Sequence, residues 1–392
     1  MRGVNEKLTQ ANYPDVKSKI PTSEVAYMNN FKLYHKWREW LTQHLPDDCS
    51  SRLTNLTHFM IGLFRGKSVH LPKIARELPI DAQKLSIVRR LRRFLDNEAV
   101  DVRDWYHPWA DWLLRSAASG GQLNLIIDGS KVTSSHQLLC VSVAWRRRAL
   151  PIVWTWLPYP RGHSRTDQQI ELLETLRAMI PDNDGSLAVS LVGDSEFGRM
   201  RVLELLDLWG WSYSLRQAKN ERVLLPDATE GQHLQDIAIQ PGETRHFRDV
   251  RLTDARYQTH LLIVWRRGED EPIYLATSET SVVAGWRLYR RRPWIEEMFG
   301  DMKGNGFDLE KSRLGNAERL SRLMLVVSLV YVWLMAAGEH VLQHGLRKIV
   351  DRADRRDLSV FRLGWDYVLH RLNLDRPIPD RLRPIFCQVS GN

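Results

Sequence analysis

The apolar positions change period twice along the 392-residue chain. Up to about residue 115 they recur every three to four places, the helical period. Phe31–Leu45 and Leu53–Phe64 read as helices, and residues 1–30 as loosely structured. Leu71–Leu78, a break at Pro79 and Asp81–Leu95 follow, with Asp81 as the expected N-cap and Ile87, Leu91 and Leu95 spaced by four. After Gly120-Gly121 the pattern shortens to strand-like runs. Leu123–Ile127 ends at Asp128-Gly129. Leu139–Trp145 and Leu150–Trp156 come next, joined through Arg146–Arg148. A helix over Thr166–Ile180 carries Ile170, Leu173, Leu176 and Ile180 on one face. A strand over Leu187–Val192 ends at Gly193-Asp194, followed by a helix over Phe197–Trp209 and a strand over Trp211–Leu215. Val223–Leu225, Thr244–Phe247, Thr259–Trp265 and Ile273–Thr277 read as further strands between Pro, Gly and charged turns. The helical period then returns at Ile295, Met298, Phe299 and Met302, and continues through Asn316–His340 and Leu358–Leu372.

Composition narrows the class. Hydrophobic residues make up 43% and charged residues 26%, the balance of a folded chain long enough for two or three domains. The longest apolar run, Leu323–Ala337, is short for a membrane span and suits a core helix. Met1–Pro21 has no apolar signal core, so a cytoplasmic protein is expected, with no membrane partner. Cys49, Cys140 and Cys387 are scattered, without zinc spacing or a disulfide framework. The formal net charge of +9 permits contact with nucleic-acid phosphates. Arg89, Arg90, Arg92 and Arg93 fall on the second helix of a short helix, break, longer helix arrangement. Such a pair resembles a helix-turn-helix, and two arginine pairs on adjacent turns suit a duplex backbone. A solvated basic face on a structural bundle is the alternative.

The chemistry concentrates in Tyr289–Lys303. Arg292, Glu296 and Lys303 share one flank of the apolar stripe at about 100° per residue. Glu297 and Asp301 turn away from that flank and read as solvated. Pro293 suits the first turn of the helix and Gly304 its end. Gly162-His163-Ser164 begins like a nucleophile elbow, but Thr166 stands where the second glycine belongs, and His163 reads as a loop or core histidine. No Walker loop or dinucleotide fingerprint occurs.

Tyr289, Arg292, Glu296 and Lys303 have the spacing of the Tyr-Arg-Glu-Lys signature, and the chain resembles bacterial insertion-sequence transposases with a DDE active site. The order of three strands, helix, strand, helix, strand is similar to the ribonuclease H-like fold of that family. The resemblance implies an α/β architecture in five stretches. These are a helical DNA-binding region (1–115), a first part of the catalytic core (116–216) and a β-rich insertion (217–280). The second part of the core with the signature helix (281–344) and a C-terminal helical region suited to a subunit contact (345–392) complete it. Asp128 and Asp194, each after an apolar strand, meet Glu296 if the first and fourth strands are neighbours. Glu196 and Glu297 are the rival carboxylates. Asp194-Ser195-Glu196-Phe197 resembles the family's aromatic shortly after the second aspartate.

In that family the three carboxylates hold two Mg2+ ions, with Mn2+ able to substitute. Asp128 is expected to bridge them, with Asp194 on one ion and Glu296 on the other. Arg292, Lys303 and Tyr289 are expected on the phosphodiester. Trp265 or Trp286 is a candidate for stacking an extruded base, core anchoring being the alternative for each. Where a second stacking aromatic is expected, Pro293 follows Arg292 and Trp294 comes one place later. The implied activity is cut-and-paste transposition with a hairpin intermediate, by a homodimer on double-stranded DNA. Two alternatives stay open: a non-catalytic DNA-binding regulator derived from a transposase, and a ribonuclease H-like nuclease without strand transfer.

Overall fold

The computed structural model describes residues 22–386 apart from 46–47, 182–184, 255 and 353, and side chains from residue 32 onward. Cys387 and residues 1–21 lie outside the described residues, and with them most of the stretch expected to be loose. Residues 22–30, the remainder of that stretch, are helical.

Five helices come first: α1 (Thr22–His44), α2 (Ser50–Gly66), α3 (Leu71–Glu77), α4 (Lys84–Asp96) and α5 (Val102–Ala118). Asp81 is not the cap of α4. That helix begins later, at Lys84, with Gln83 at the N-cap offering no side-chain cap, because residues 81–82 form a bend after Pro79. The periodicity of α4 is realised as expected: Ile87, Val88, Leu91, Phe94 and Leu95 are buried, and the four arginines are exposed. α5, which the pattern alone does not single out, starts where Asp101 accepts the backbone N–H of Asp104 at 2.9 Å. It tolerates Pro108 in its interior.

The sheet has ten strands. They are β1 (Gln122–Lys131), β2 (Gln137–Trp145), β3 (Arg148–Leu157), β4 (Ala188–Gly193) and β5 (Ser212–Arg216), then β6 (Arg222–Leu224), β7 (Gln232–His233), β8 (Thr244–Leu252), β9 (Tyr257–Val264) and β10 (Ile273–Thr277). Their order is β3-β2-β1-β4-β5-β10-β9-β8-β6-β7. β1, β4 and β5 are parallel neighbours, and the other pairings are antiparallel. The strands of residues 217–280 therefore extend the same sheet beyond β5. Two helices lie between the parallel strands: α6 (Thr166–Arg177) joins β3 to β4, and α7 (Met200–Leu208) joins β4 to β5.

Among the described residues four more α-helices follow: α8 (Val282–Tyr289), α9 (Pro293–Met302), α10 (Ala317–Gln343) and α11 (Val360–Asn373). Asn316 caps α10 by accepting the N–H of Arg319 at 2.9 Å. α10 is long and apolar enough to cross a membrane by length and composition, yet 94% of its apolar window is buried inside the protein. Trp333 on α10 meets Trp37 of α1 at 5.4 Å and Phe64 of α2 at 5.1 Å between ring centroids. The N-terminal helices thus share one apolar core with α10 and the sheet. α9 packs on β1, β2 and β3, which brings the signature segment against the first three strands.

Candidate active site

Two aspartates come level at one sheet edge. The parallel β1–β4 ladder ends with Ile127 beside Gly193, so Asp128 and Asp194 are the first residues beyond it. This is the carboxyl edge of parallel strands, where open α/β sheets bind ligands. Asp128 does not end its strand, as the apolar run suggests; β1 continues to Lys131, and Asp128 pairs with Cys140 of β2. A glycine at 193 is required by space. A Cβ there would lie 2.9 Å from Ile127 and 3.0 Å from Phe197, the fully buried aromatic that fills the room below. Backbone N–H groups orient both carboxylates: Gly129 donates to Asp128 Oδ1 and Ser195 to Asp194 Oδ1, each at 2.8 Å.

The third carboxylate arrives on α9. Tyr289 ends α8, and residues 290–292 turn directly into α9 with Pro293 in its first turn. Arg292 keeps helical backbone angles there, so Arg292 and Glu296 lie one turn apart on one face. The Arg292 guanidinium joins all three acids. Nη2 lies 3.0 Å from Asp194 Oδ2 and 3.5 Å from Asp128 Oδ2, and Nη1 donates to Glu296 Oε1. Arg216, at the end of β5, adds a cation 3.8 Å from Asp194 Oδ1. Arg216 directly follows the apolar run Trp211–Leu215, and that place at the end of a third parallel strand is the signal that locates it in the sequence.

Burial dominates the electrostatics. It pushes the Asp128 carboxyl up to about 7, against Arg292 and the Gly129 N–H, while Asp194 and Glu296 push the same way as burial. Burial works against the Arg292 charge, but the three carboxylates outweigh it and hold that charge more firmly than usual. Burial and Asp194 push the Tyr289 phenol up to about 12, with Arg216 and Arg292 opposing. The Tyr289 ring packs with Leu262, Val264 and Leu275 and lies 6.0 Å from the ring of Trp286.

Other expected residues fall differently. Lys303 pairs with Glu310 at 3.1 Å rather than with the three acids. Asp301 is not solvated. It is buried and receives Arg148 Nε at 2.8 Å, because the tip of the β2–β3 hairpin closes over that flank of α9; burial raises its carboxyl to about 6 against Arg148. Glu297 is exposed, 3.2 Å from the same arginine. Glu196 is engaged by Ser164 and His163. Trp265 donates its indole N–H to Glu269 O at 2.9 Å.

Residues 158–333 match the family model described as the transposase DDE domain. The match supports a DDE transposase family for this chain. That family suggests an enzyme acting on DNA, and a mixed α/β chain with one large mixed sheet is consistent with a ribonuclease H-like DDE domain. The matched stretch includes Asp194 and Glu296 and begins beyond Asp128, which joins them through the sheet register. No curated protein matches the chain.

The donor set bears on whether a metal belongs here. All three groups are carboxylates, the oxygen chemistry that hard divalent ions prefer. Among the described residues, no three His, Cys, Asp or Glu side chains are already arranged to hold an ion. The reason is visible: the guanidinium stands between the acids. Its Nε is buried without a hydrogen-bond partner, so this seat leaves Arg292 incompletely satisfied. As donors the three carboxylates suit a hard divalent ion, and in this structure Arg292 takes up their oxygens instead.

Proposed function

We propose that this chain is a bacterial insertion-sequence transposase of the Tyr-Arg-Glu-Lys type, which cuts and joins DNA by cut-and-paste transposition. The observation that carries the reading is the meeting of Asp128, Asp194 and Glu296 on one guanidinium at the carboxyl edge of parallel strands. Asp128, Asp194 and Glu296 would hold two Mg2+ ions, for which Mn2+ could substitute. Bound there, the ions would activate a water or a terminal 3′-hydroxyl and stabilise the leaving oxygen. The chain's own groups do the rest. The buried Asp128 fixes the floor of the site, held by the Gly129 N–H. Arg292, released from the acids, and Lys303 neutralise the phosphodiester, and Tyr289 orients it. No side-chain nucleophile is required.

In this reading α4 lays Arg89, Arg90, Arg92 and Arg93 along duplex DNA, and two copies of the chain join two element ends. Cleavage, a hairpin intermediate and strand transfer by the 3′-hydroxyl follow in order, in the bacterial cytoplasm.

The test uses a supercoiled plasmid carrying the coding sequence with its native flanks. The purified chain with Mg2+ or Mn2+ is expected to cut at the flanks, and Asp128→Asn to bind the same DNA without cutting it. Binding without metal-dependent cleavage by the intact chain would instead favour a regulator. Cleavage that never leads to strand joining would favour a simple nuclease.

A further inference from the structure

The chain that leaves α9 is tied back to the N-terminal helices. The Phe307 carbonyl accepts the Val69 N–H at 2.7 Å, and both residues are buried. A 3-10 turn over Leu309–Ser312 follows. Asp308 and Arg313, on either side of it, hold φ of 54° and 56°, the left-handed region that residues with a side chain rarely adopt. This fold-back sets Glu310, Lys311 and Arg313 opposite His70, which precedes α3, and Lys73 within it. The five residues line one cleft of about 360 Å3.

The acids in and beside the cleft are already taken. Glu310 pairs with Lys303 at 3.1 Å, and Asp308 pairs with Lys311 at 3.1 Å and Lys73 at 3.9 Å. Arg313 has no ion pair among the described residues. His70 reports the balance. Burial holds its imidazole below the usual value, and Arg313, Lys73, Arg76 and Lys84 push it the same way. Every charged group acting on that ring is a cation, so the potential at the cleft is positive. Lys84 opens α4, so the positive surface runs from the arginine-bearing helix, past α3, to the segment behind α9. A lone small anion would need only the cleft. A positive surface that continues onto α4 suits a polymer of regularly spaced negative charges.

We infer that this cleft seats a backbone phosphate of the DNA that α4 holds in the function proposed above, on which the inference rests. Lys73 and Arg313 supply the charge, one from α3 and one from the segment behind α9. One duplex is then gripped by the N-terminal helices and by the far end of α9 at once. That ties its position to the helix that carries Glu296; phosphate contacts of this kind set register and carry no sequence information.

The experiment is a gel shift without metal, on linear DNA carrying the native flanks of the coding sequence, at several KCl concentrations. Lys73→Gln with Arg313→Gln is compared with the wild type and with Lys348→Gln plus Arg352→Gln. The second pair removes the same charge beyond the other end of α10, whose 27 residues span about 40 Å. All four residues are exposed, so melting temperatures should stay near wild type. Loss of one phosphate contact is expected to reduce the slope of log affinity against log salt by about 0.9, and affinity at 0.1 M KCl about ten-fold. The remote pair should keep the wild-type slope. An unaltered slope in the cleft pair, or an equal fall in the remote pair, would overturn the inference while leaving the transposase reading intact. A wild-type chain that binds no DNA would overturn that reading, and this inference with it.

Discussion

Arg292 donates to Asp194 across 3.0 Å, joining the turn before α9 to the end of β4. The contact places a side chain expected on DNA phosphate among the acids expected on metal. Both expectations hold together if the guanidinium stands in for a cation until the ions and the DNA arrive. Its unpartnered Nε fits a temporary seat.

Removing that cation has a measurable consequence. Arg292→Ala leaves three carboxylates with less neutralising charge, so Mn2+ binding by the DNA-free protein is expected to tighten, on the order of ten-fold. Isothermal titration or Mn2+ paramagnetic resonance reads this directly. Unchanged or weaker binding would show that Arg292 does not compete for the site.

Asp301 links pH to stability. Burial raises its carboxyl from 3.8 to about 6 in the folded chain. The folded state therefore binds the proton more tightly than the unfolded state. The stabilisation is full below the unfolded value and is lost as pH rises through about 6. The loss is at most about 3 kcal/mol. Asp301→Asn, which carries no such proton, is expected to gain stability relative to wild type as pH rises from 4 to 7. Urea midpoints across that range check the sign; a relative gain on lowering the pH would contradict it.

The four arginines of α4 are exposed and its apolar face is buried, so their loss should touch binding and not folding. Arg89→Gln with Arg92→Gln is expected to change stability by less than about 0.5 kcal/mol. It should weaken DNA binding across sequences and reduce the salt dependence by up to about two phosphate contacts. Gel shifts at several salt concentrations test this, and an unaltered slope would remove α4 from the DNA surface.

Much of this arrangement was legible in the chain. The runs before Asp128 and Asp194 marked two strands, and their parallel pairing brought the acids level. Pro293 marked the start of α9, where proline costs no helical hydrogen bond. What stayed hidden depends on packing between distant segments. Asp301 reads as solvated from helical phase alone, since nothing local reports that Arg148 covers it from the β2–β3 hairpin. α8 carries no long apolar stripe to announce it: of its eight residues only Gly285 and Tyr289 are buried. Phase likewise places Lys303 beside Glu296, but α9 ends at Met302, and Lys303 turns to Glu310.

The central claim is that Asp128, Asp194 and Glu296 serve one centre that takes divalent ions. Iron-directed cleavage of the backbone tests it most directly, because Fe2+ with ascorbate cuts a chain next to the groups that hold the ion. The wild-type protein is expected to be cut near residues 128, 194 and 296 together, with Mg2+ suppressing every cut and Asp128→Asn abolishing them. Cuts confined to one of these segments, or made elsewhere in the chain, would contradict it.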